Sequence, residues 1–388
     1  RTENGYKPIE EIHVGEKVLT ASGEYHRVKQ VMINPFDGYL QSINSSVSTN
    51  PILSTPDHPF LCLNGNHKSL IKKGCGPKCD VYIENGDGLI SRRPDVKQLP
   101  SGNFHARIAH NGKRIILGTF ETEHEGIKAV NNYKKNYKKG HYLDWRSAQE
   151  LNEKDWLVAN FTREINEIKQ ISVPFNFRKT TKLGSERLGV NNFEVNKEFL
   201  WIIGIYLAEG SCNKRTIAFA LHKDEIEYQE KIIKFFEKLG YNPSVSYTEG
   251  HGCIVNVHST TLASWFEKWL GQYCFEKKIP NELMSLNPKL QMSLIQGIWD
   301  GDGSKTINEF EITQTSEILA LQISEILHRN NKQPLVRKYQ SNILTLNGNK
   351  RRPAYTVSWE NDNFHHENRK KRWNFEDNKL AQIKSIDQ

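Results

Sequence analysis

The chain has 388 residues, 25% of them charged and 37% apolar, with a formal net charge of +8. That length exceeds what one hydrophobic core normally organises, so two or three domains are expected, and the surplus of cations points to an anionic partner, nucleic acid first. The longest apolar run, Phe199 to Ala208, covers about half of a membrane span, so no transmembrane helix is expected. The chain opens RTENGYKPIEE, with neither an initiator Met nor a signal peptide, so it reads as excised or trimmed. Six cysteines in a chain this long do not make a disulfide framework, and a reducing, intracellular compartment is expected.

Residues 1–63 read as short strands and turns, KVLTASGEYHRVKQV, GYLQSI and PILSTPDHPFLC, punctuated by Gly, Asn and Pro: a small all-β unit. Residues 64–88 are polar and rich in glycine. Residues 89–142 alternate polar and apolar in three short runs and then turn helical. Residues 143–172 return to the first style, and 173–196 form a polar linker. From about 197 to 360 a pattern occurs twice. An apolar helix ends in an acid and a glycine, a polar hairpin region follows, and an amphipathic helix comes next. The expected caps are Asp224, 15 residues after Glu209, and Ser316, 14 after Asp302. Matched halves of this kind suggest an internal duplication packed about a pseudo-twofold axis.

The two helix ends read LWIIGIYLAEGS (Leu200 to Ser211) and LIQGIWDGDGS (Leu294 to Ser304). A carboxylate at a helix C-terminus meets the negative end of the macrodipole and gains nothing there. Gly204 and Gly297 stand five residues before Glu209 and Asp302, where a small residue lets two apolar helices approach closely. Gly210 and Gly303 suit the left-handed conformation that ends many helices. Paired helices would bring both carboxylates out at one end, where a divalent cation between them would offset their repulsion. Mg²⁺ favours carboxylate, carbonyl, water and phosphate oxygens, so the terminal carbonyls would add to the site. Asp300, two residues before Asp302, falls on another side of the helix and reads as peripheral; Leu207 holds the matching place in the first half.

These two stretches resemble the paired motifs of the LAGLIDADG homing endonucleases, over about residues 197–360. The resemblance implies duplicated αββαββα halves whose saddle-shaped sheet lies in the DNA major groove. It implies cleavage of both strands with two or three Mg²⁺ ions, leaving short 3′ overhangs. Glu209 and Asp302 are then the metal-binding catalytic acids, and the carbonyls of Ala208 and Gly301 are further ligands. The stretch KKIPNEL resembles the family's segment before the second motif, where a lysine often assists; Lys277 is the better match and Lys278 its neighbour. Lys338, in VRKYQ, is the candidate equivalent in the second half. Lys214, Arg215 and Lys305 are candidate DNA contacts. The expected partner is double-stranded DNA with a long asymmetric target, bound by a monomer that acts as a pseudo-dimer.

TENGYKPIEEIHVGEKVLT and ILSTPDHPFL resemble the first two blocks of an intein, the Hint fold, and AQELNEKDWLVAN resembles the strand that follows. Thr55 and His58 match a block in which the His polarises the peptide bond at the N-terminal splice junction and the Thr assists. Residues 361–388 would return to this module. The chain starts at Arg1 and stops at QIKSIDQ, short of the family's terminal splicing residues, so as given it is not expected to splice.

QLPSGNFHARIAHNGKRIILGTFETEHEGIKAVNNYKKNY (Gln98 to Tyr137) resembles the plant-type Apetala/ethylene-response DNA-binding domain, a three-stranded sheet backed by one helix. The resemblance makes His105, Arg107, Lys113 and Arg114 groove-facing, with Arg92 and Arg93 on the preceding strand. An Asn111-Gly112 turn between alternating strands fits a hairpin. Cys62, His67, Cys75 and Cys79 could hold structural zinc, although the spacing is irregular. Cys212, Cys253 and Cys274 read as small core residues.

The fold class is therefore multidomain: an all-β Hint domain, a small sheet-plus-helix insertion, and an α+β LAGLIDADG endonuclease. The leading reading is an intein-encoded homing endonuclease. The alternatives are a DNA-binding maturase or regulator, and a splicing element with a decayed nuclease.

Overall fold

Asn196 starts the central helix by accepting the Phe199 N–H in its side chain, and the nine residues Phe199–Leu207 that follow are all buried. A helix apolar on every side has to sit inside a core. This helix, α1 (Lys197–Glu209), leads into strands β1 (Gly210–Cys212) and β2 (Thr216–His222), helix α2 (Ile226–Lys238), strands β3 (Ser244–Tyr247) and β4 (Gly252–His258), and helix α3 (Thr260–Leu270). After the short α4 (Asn281–Met284), helix α5 (Pro288–Asp302) opens the same order of elements: β5 (Gly303–Lys305), β6 (Glu309–Gln314), α6 (Glu317–Arg329), β7 (Leu335–Tyr339) and β8 (Ala354–Glu360). Among the described residues the second series stops at β8, without a counterpart of α3. Each series makes one antiparallel four-stranded sheet, ordered β1-β2-β4-β3 and β5-β6-β8-β7.

The computed structural model describes residues 1–20, 22–46, 48–63, 82–85, 88–91, 95–110, 113–137, 144–153, 155–173, 192–248, 250–307, 309–332, 334–340, 351–360, 374–375 and 378–387. They form two units: Arg1–Ile33 with Asn160–Phe364, and Asn34–Ala159 with His365–Gln388.

In the first unit a single core gathers α1, α5 and the inner faces of both sheets, with Tyr206, Phe219, Phe236 and Phe266 fully buried. Burial of each such side chain contributes about 1.5–3 kcal/mol. Ser316 caps α6 through the Leu319 N–H, as expected. Helix α2 starts one residue later than expected, with Glu225 rather than Asp224 at the N-cap position and no side-chain cap bond; the Glu225 carboxylate instead accepts the His222 N–H. Residues 1–33 belong to this unit and not with 34–63. Arg1 Nε donates to Glu325 Oε2 on α6 at 3.1 Å, both side chains being under a tenth exposed.

In the second unit one sheet orders Asp144–Ser147, Pro59–Leu63, Trp156–Ala159, Asn378–Asp387, Gln41–Ser45 and Ile52–Ser54. Its core is Ile43, Cys62, Ala148, Leu151 and Leu157. A second sheet runs Lys113–Phe120, Phe104–His110, Gly88–Ser91 and Tyr82–Asn85, with Asp95–Gln98 also paired to Phe104–His110. It has five strands where three were expected. The helix Glu123–Tyr137 covers it through Val130 against Ala106 and Ile108. No helix among the described residues is long and apolar enough to cross a membrane.

Candidate functional site

Helices α1 and α5 touch backbone to backbone. A Cβ on Gly204 would lie 2.2 Å from the Leu294 carbonyl oxygen, and one on Gly297 would lie 2.3 Å from that of Trp201. Only glycine fits at either place. One turn further along, a Cβ on Gly301 would lie 2.5 Å from Ala208 Cβ and 2.9 Å from Glu209 Cγ. Both contacts advance by four residues in the same direction, so the helices run parallel and end together. Glu209 and Asp302 therefore emerge side by side.

Gly210 and Gly303 do not take the left-handed conformation expected of them; their φ values are −81° and −84°. Each opens a strand, and its N–H closes back on the carbonyl of Tyr206 or Trp299. Glycine is needed there for space: a Cβ would lie 2.5 Å from the Tyr206 oxygen at Gly210 and 2.2 Å from the Trp299 oxygen at Gly303.

Glu209 and Asp302 are half-buried. Burial, and after it the neighbouring Asp302 carboxylate, push the Glu209 carboxyl up to about 7, against the pull of Lys277. Burial also raises Asp302, opposed by a hydrogen bond from Gln314 and by Lys277. Lys277 is 4% exposed, and its ammonium donates to the carbonyls of Tyr206 (3.1 Å) and Ala208 (3.0 Å). Burial lowers its pKa, while Asp302 and Glu209 raise it. The Ala208 carbonyl, expected as a metal ligand, already accepts one hydrogen bond from Lys277, whose charge offsets the negative end of α1.

Gln314, not foreseen from sequence, donates Nε2–H to Asp302 Oδ2 at 2.7 Å. Gly303 pairs with Ile312 in one sheet and Gly210 with Phe219 in the other, so Leu221 stands where Gln314 does. Leu221 offers no donor, which makes the two acids unlike. Asp300 is more than peripheral: its carboxylate accepts Trp201 Nε1–H (2.7 Å) and Gln296 Nε2–H (2.6 Å), tying α5 to α1.

The other candidates are spread out. Lys278, Lys214, Arg215, Lys305 and Lys338 are exposed. Lys305 Nζ lies 5.4 Å from the centre of the Phe310 ring and Lys338 Nζ 5.9 Å from that of Tyr355. The outward face of β6 and β8 carries Glu309, Glu311 and Glu360 beside Arg337, which lies 3.9 Å from Glu311. That face is more acidic than a basic DNA-binding surface leads one to expect.

In the second unit the Thr55–His58 turn is fixed by His58 N–H donating to the Thr55 carbonyl (3.1 Å) and Ala148 N–H to that of His58 (2.9 Å). The Thr55 hydroxyl holds the Asp57 carboxyl below its ordinary range, and the His58 ring meets Phe60 edge-on at 5.2 Å. His105 and Arg107 alternate with buried Ala106 and Ile108, so they face away from the covering helix. Arg114 is exposed. Arg92, Arg93, the Asn111-Gly112 turn, His67, Cys75, Cys79 and the Lys113 side chain lie outside the described residues. Cys62 packs in the core with Ile43 and Leu157 because its strand alternates inward there. Cys212 and Cys253 are buried as expected, but Cys274 is exposed, since it sits on a surface turn. Among the described residues no group of three or more His, Cys, Asp or Glu is arranged to hold a metal ion.

No family model matches the chain. It is 23% identical over 333 residues to an uncharacterised protein of Methanocaldococcus jannaschii, covering 84% of this chain and 36% of that one. It is 28% identical over 331 residues to a DNA-directed RNA polymerase subunit of the same organism, covering 81% and 35%. An iron–sulfur cluster assembly SufBD family protein of Mycobacterium tuberculosis is 23% identical over 337 residues, 83% of this chain and 30% of that one. The chain thus spans about a third of the length of the curated relatives it matches. Among solved structures, it is similar to the homing endonuclease I-DmoI in complex with DNA and Mn, at 13% identity and a TM-score of 0.33, covering 43% of this chain and 90% of that one. It is also similar to the N-terminal LAGLIDADG domain of WhiA, at 14% identity and a TM-score of 0.29, covering 44% and 78%.

Proposed function

We propose that the chain is a metal-dependent, double-strand DNA endonuclease of the LAGLIDADG type, carried within an intein. Residues 197–360 are the nuclease, a monomer whose two halves act on a long asymmetric duplex. By sequence, residues 1–63, 143–172 and 361–388 are assigned to the Hint module, 64–88 to a loop, 89–142 to an inserted DNA-binding module and 173–196 to a linker, although Arg1–Ile33 and Asn160–Phe364 cluster in the unit that holds 197–360. The observation that carries the reading is the contact of α1 with α5 through Gly204 and Gly297, which brings Glu209 and Asp302 to one end.

Two neighbouring half-buried carboxyls, both raised in pKa, resist ionising together. A divalent cation reverses that preference, and these oxygens with the Gly301 carbonyl are donors of the type Mg²⁺ accepts. When bound, Mg²⁺ would polarise the phosphodiester and lower the pKa of an attacking water. Glu209 and Asp302 would hold it, and Gln314 fixes one Asp302 oxygen. Lys277 supplies a positive charge, beside the reacting phosphate, that stabilises charge developing there.

The intein frame is supported by two observations. The sheet holding the Thr55–His58 turn closes with Asn378–Asp387, so late residues return across everything between. The relatives include proteins as unlike as a polymerase subunit and an iron–sulfur assembly protein, each matched over about a third of its length. A segment that inserts itself into unrelated hosts accounts for that pattern. Thr55 and His58 are the residues assigned to the N-terminal splice junction. The second reading is a DNA-binding maturase or regulator that does not cut.

Incubation with a plasmid carrying the uninterrupted host gene separates the two. Linear product with Mg²⁺ and none with EDTA supports the nuclease; retained binding without cutting supports the second reading.

A further inference from the structure

The turn between α3 and α4 is pinned on its inner side. Gly271 has φ +96°, and a Cβ there would lie 2.5 Å from the Glu276 carbonyl oxygen. The Gly271 carbonyl accepts the buried Tyr206 hydroxyl (3.1 Å). Glu276 N–H closes on the Tyr273 carbonyl (2.8 Å) and Lys278 N–H on that of Leu270 (2.9 Å). Lys277 points inward to the end of α1.

On its outer side the same turn presents Tyr273 and Phe275, 54% and 36% exposed. Their rings are parallel, 3° apart in plane with centroids separated by 5.6 Å. The Arg352 guanidinium, from the segment entering β8, lies 3.6 Å from the centre of the Phe275 ring. Arg352 and its chain neighbour Arg351 are exposed, as is Lys278, three residues after Phe275. With Arg352 over one face of Phe275, the more exposed Tyr273 ring together with the outer plane of that guanidinium is left to meet the face of a nucleobase, with cations beside its phosphate. A base inside a closed duplex keeps its faces stacked, so the fitting occupant is an unstacked one. Phe275 is two residues, about 7 Å of chain at most, from Lys277, whose ammonium is influenced by both acids, so the turn belongs to the acid-bearing end of α1.

We propose that Tyr273, Phe275 and Arg352 form a stacking site for an unstacked nucleobase of single-stranded or locally opened DNA beside the scissile phosphates. Its location at a cleavage point rests on the nuclease reading; base binding itself does not need cleavage.

The test uses the full chain and an oligodeoxythymidylate of about 12 nucleotides, within the site sizes of single-strand binders, with a central 2-aminopurine. A parallel oligonucleotide carries 5-iodouracil at that position. Binding should change the 2-aminopurine fluorescence, and photocrosslinks should map to Tyr273 or Phe275. Phe275→Ala and Tyr273→Ala should each weaken binding roughly tenfold, while Phe275→Trp retains it. The proposal is overturned if both alanine variants, with unchanged melting temperatures, bind within about twofold of the parent, or if crosslinks map elsewhere. Plasmid cutting by the same samples keeps the two ideas apart. Stacking without Mg²⁺-dependent cutting sinks the nuclease reading alone, and cutting without stacking sinks this site alone.

Discussion

Gly204→Ala tests the contact on which the site is built. The added methyl would lie 2.2 Å from the Leu294 oxygen and 2.9 Å from Gly297 Cα. A relaxed carbon–oxygen contact is about 3.3 Å, so the helices must part by roughly 1 Å. The atoms struck are backbone, so no rotamer change relieves the clash. Overpacking of this kind costs about 1–3 kcal/mol, and the surrounding close contacts along the seam favour the upper end. Alanine recovers up to about 1 kcal/mol of helix propensity. The expected net loss is about 2 kcal/mol, or about 4–8 °C in melting temperature for a unit of this size. Calorimetry of the metal-free protein at fixed pH measures it. Gly297→Ala, which meets the Trp201 oxygen at 2.3 Å, should behave alike. The double variant should cost less than the sum, because one separation accommodates both methyls. A Gly204→Ala protein as stable as the parent would refute the reasoning, since propensity would have won over a contact that was not there.

Glu209→Gln and Asp302→Asn should each reduce plasmid cleavage by at least about 100-fold while DNA binding by gel shift is kept; a variant cutting at the parental rate removes that acid from the assignment. Lys277→Met should lower the single-turnover cleavage rate by about 10²–10³ and also the melting temperature, because the Tyr206 and Ala208 carbonyls lose their donor. Stability without metal should fall as pH rises. The Glu209 carboxyl sits near 7 in the fold against an ordinary 4.5, so the fold disfavours its ionised form; the cost is absent below about 4.5 and complete above about 7. The full shift would be about 3 kcal/mol, and access of solvent to this half-buried group reduces that to about 1 kcal/mol. Urea unfolding across that range should show the slope, Glu209→Gln should flatten it, and added Mg²⁺ should reverse it.

The features legible in sequence are those written in one segment. A continuous apolar run marked α1, the repeated acid-glycine ending marked α5, their glycines marked the contact, and Ser316 marked its own cap. Features that depend on two segments were not legible. Gln314 lies on a strand, and only the pairing of β5 with β6 turns it toward Asp302. Arg352 reaches Phe275 from far along the chain. The strands Tyr82–Asn85 and Gly88–Ser91 fall in or beside a polar, glycine-rich stretch whose composition suggested a loop. Glu225 rather than Asp224 stands at the start of α2, a one-residue difference between adjacent acids that composition does not distinguish. An acid-glycine ending reads as a left-handed turn, whereas Gly210 and Gly303 are needed for room beside Tyr206 and Trp299.

The exchange of Gln314 for Leu221 has a consequence for kinetics. A seam that looks symmetric in its backbone is handed in its chemistry: one acid is braced by an amide, and the strand position matching that amide holds a hydrocarbon. On the nuclease reading, the two phosphodiesters of a target would meet unequal partners. Open circles should accumulate before linear molecules, always broken on the same strand.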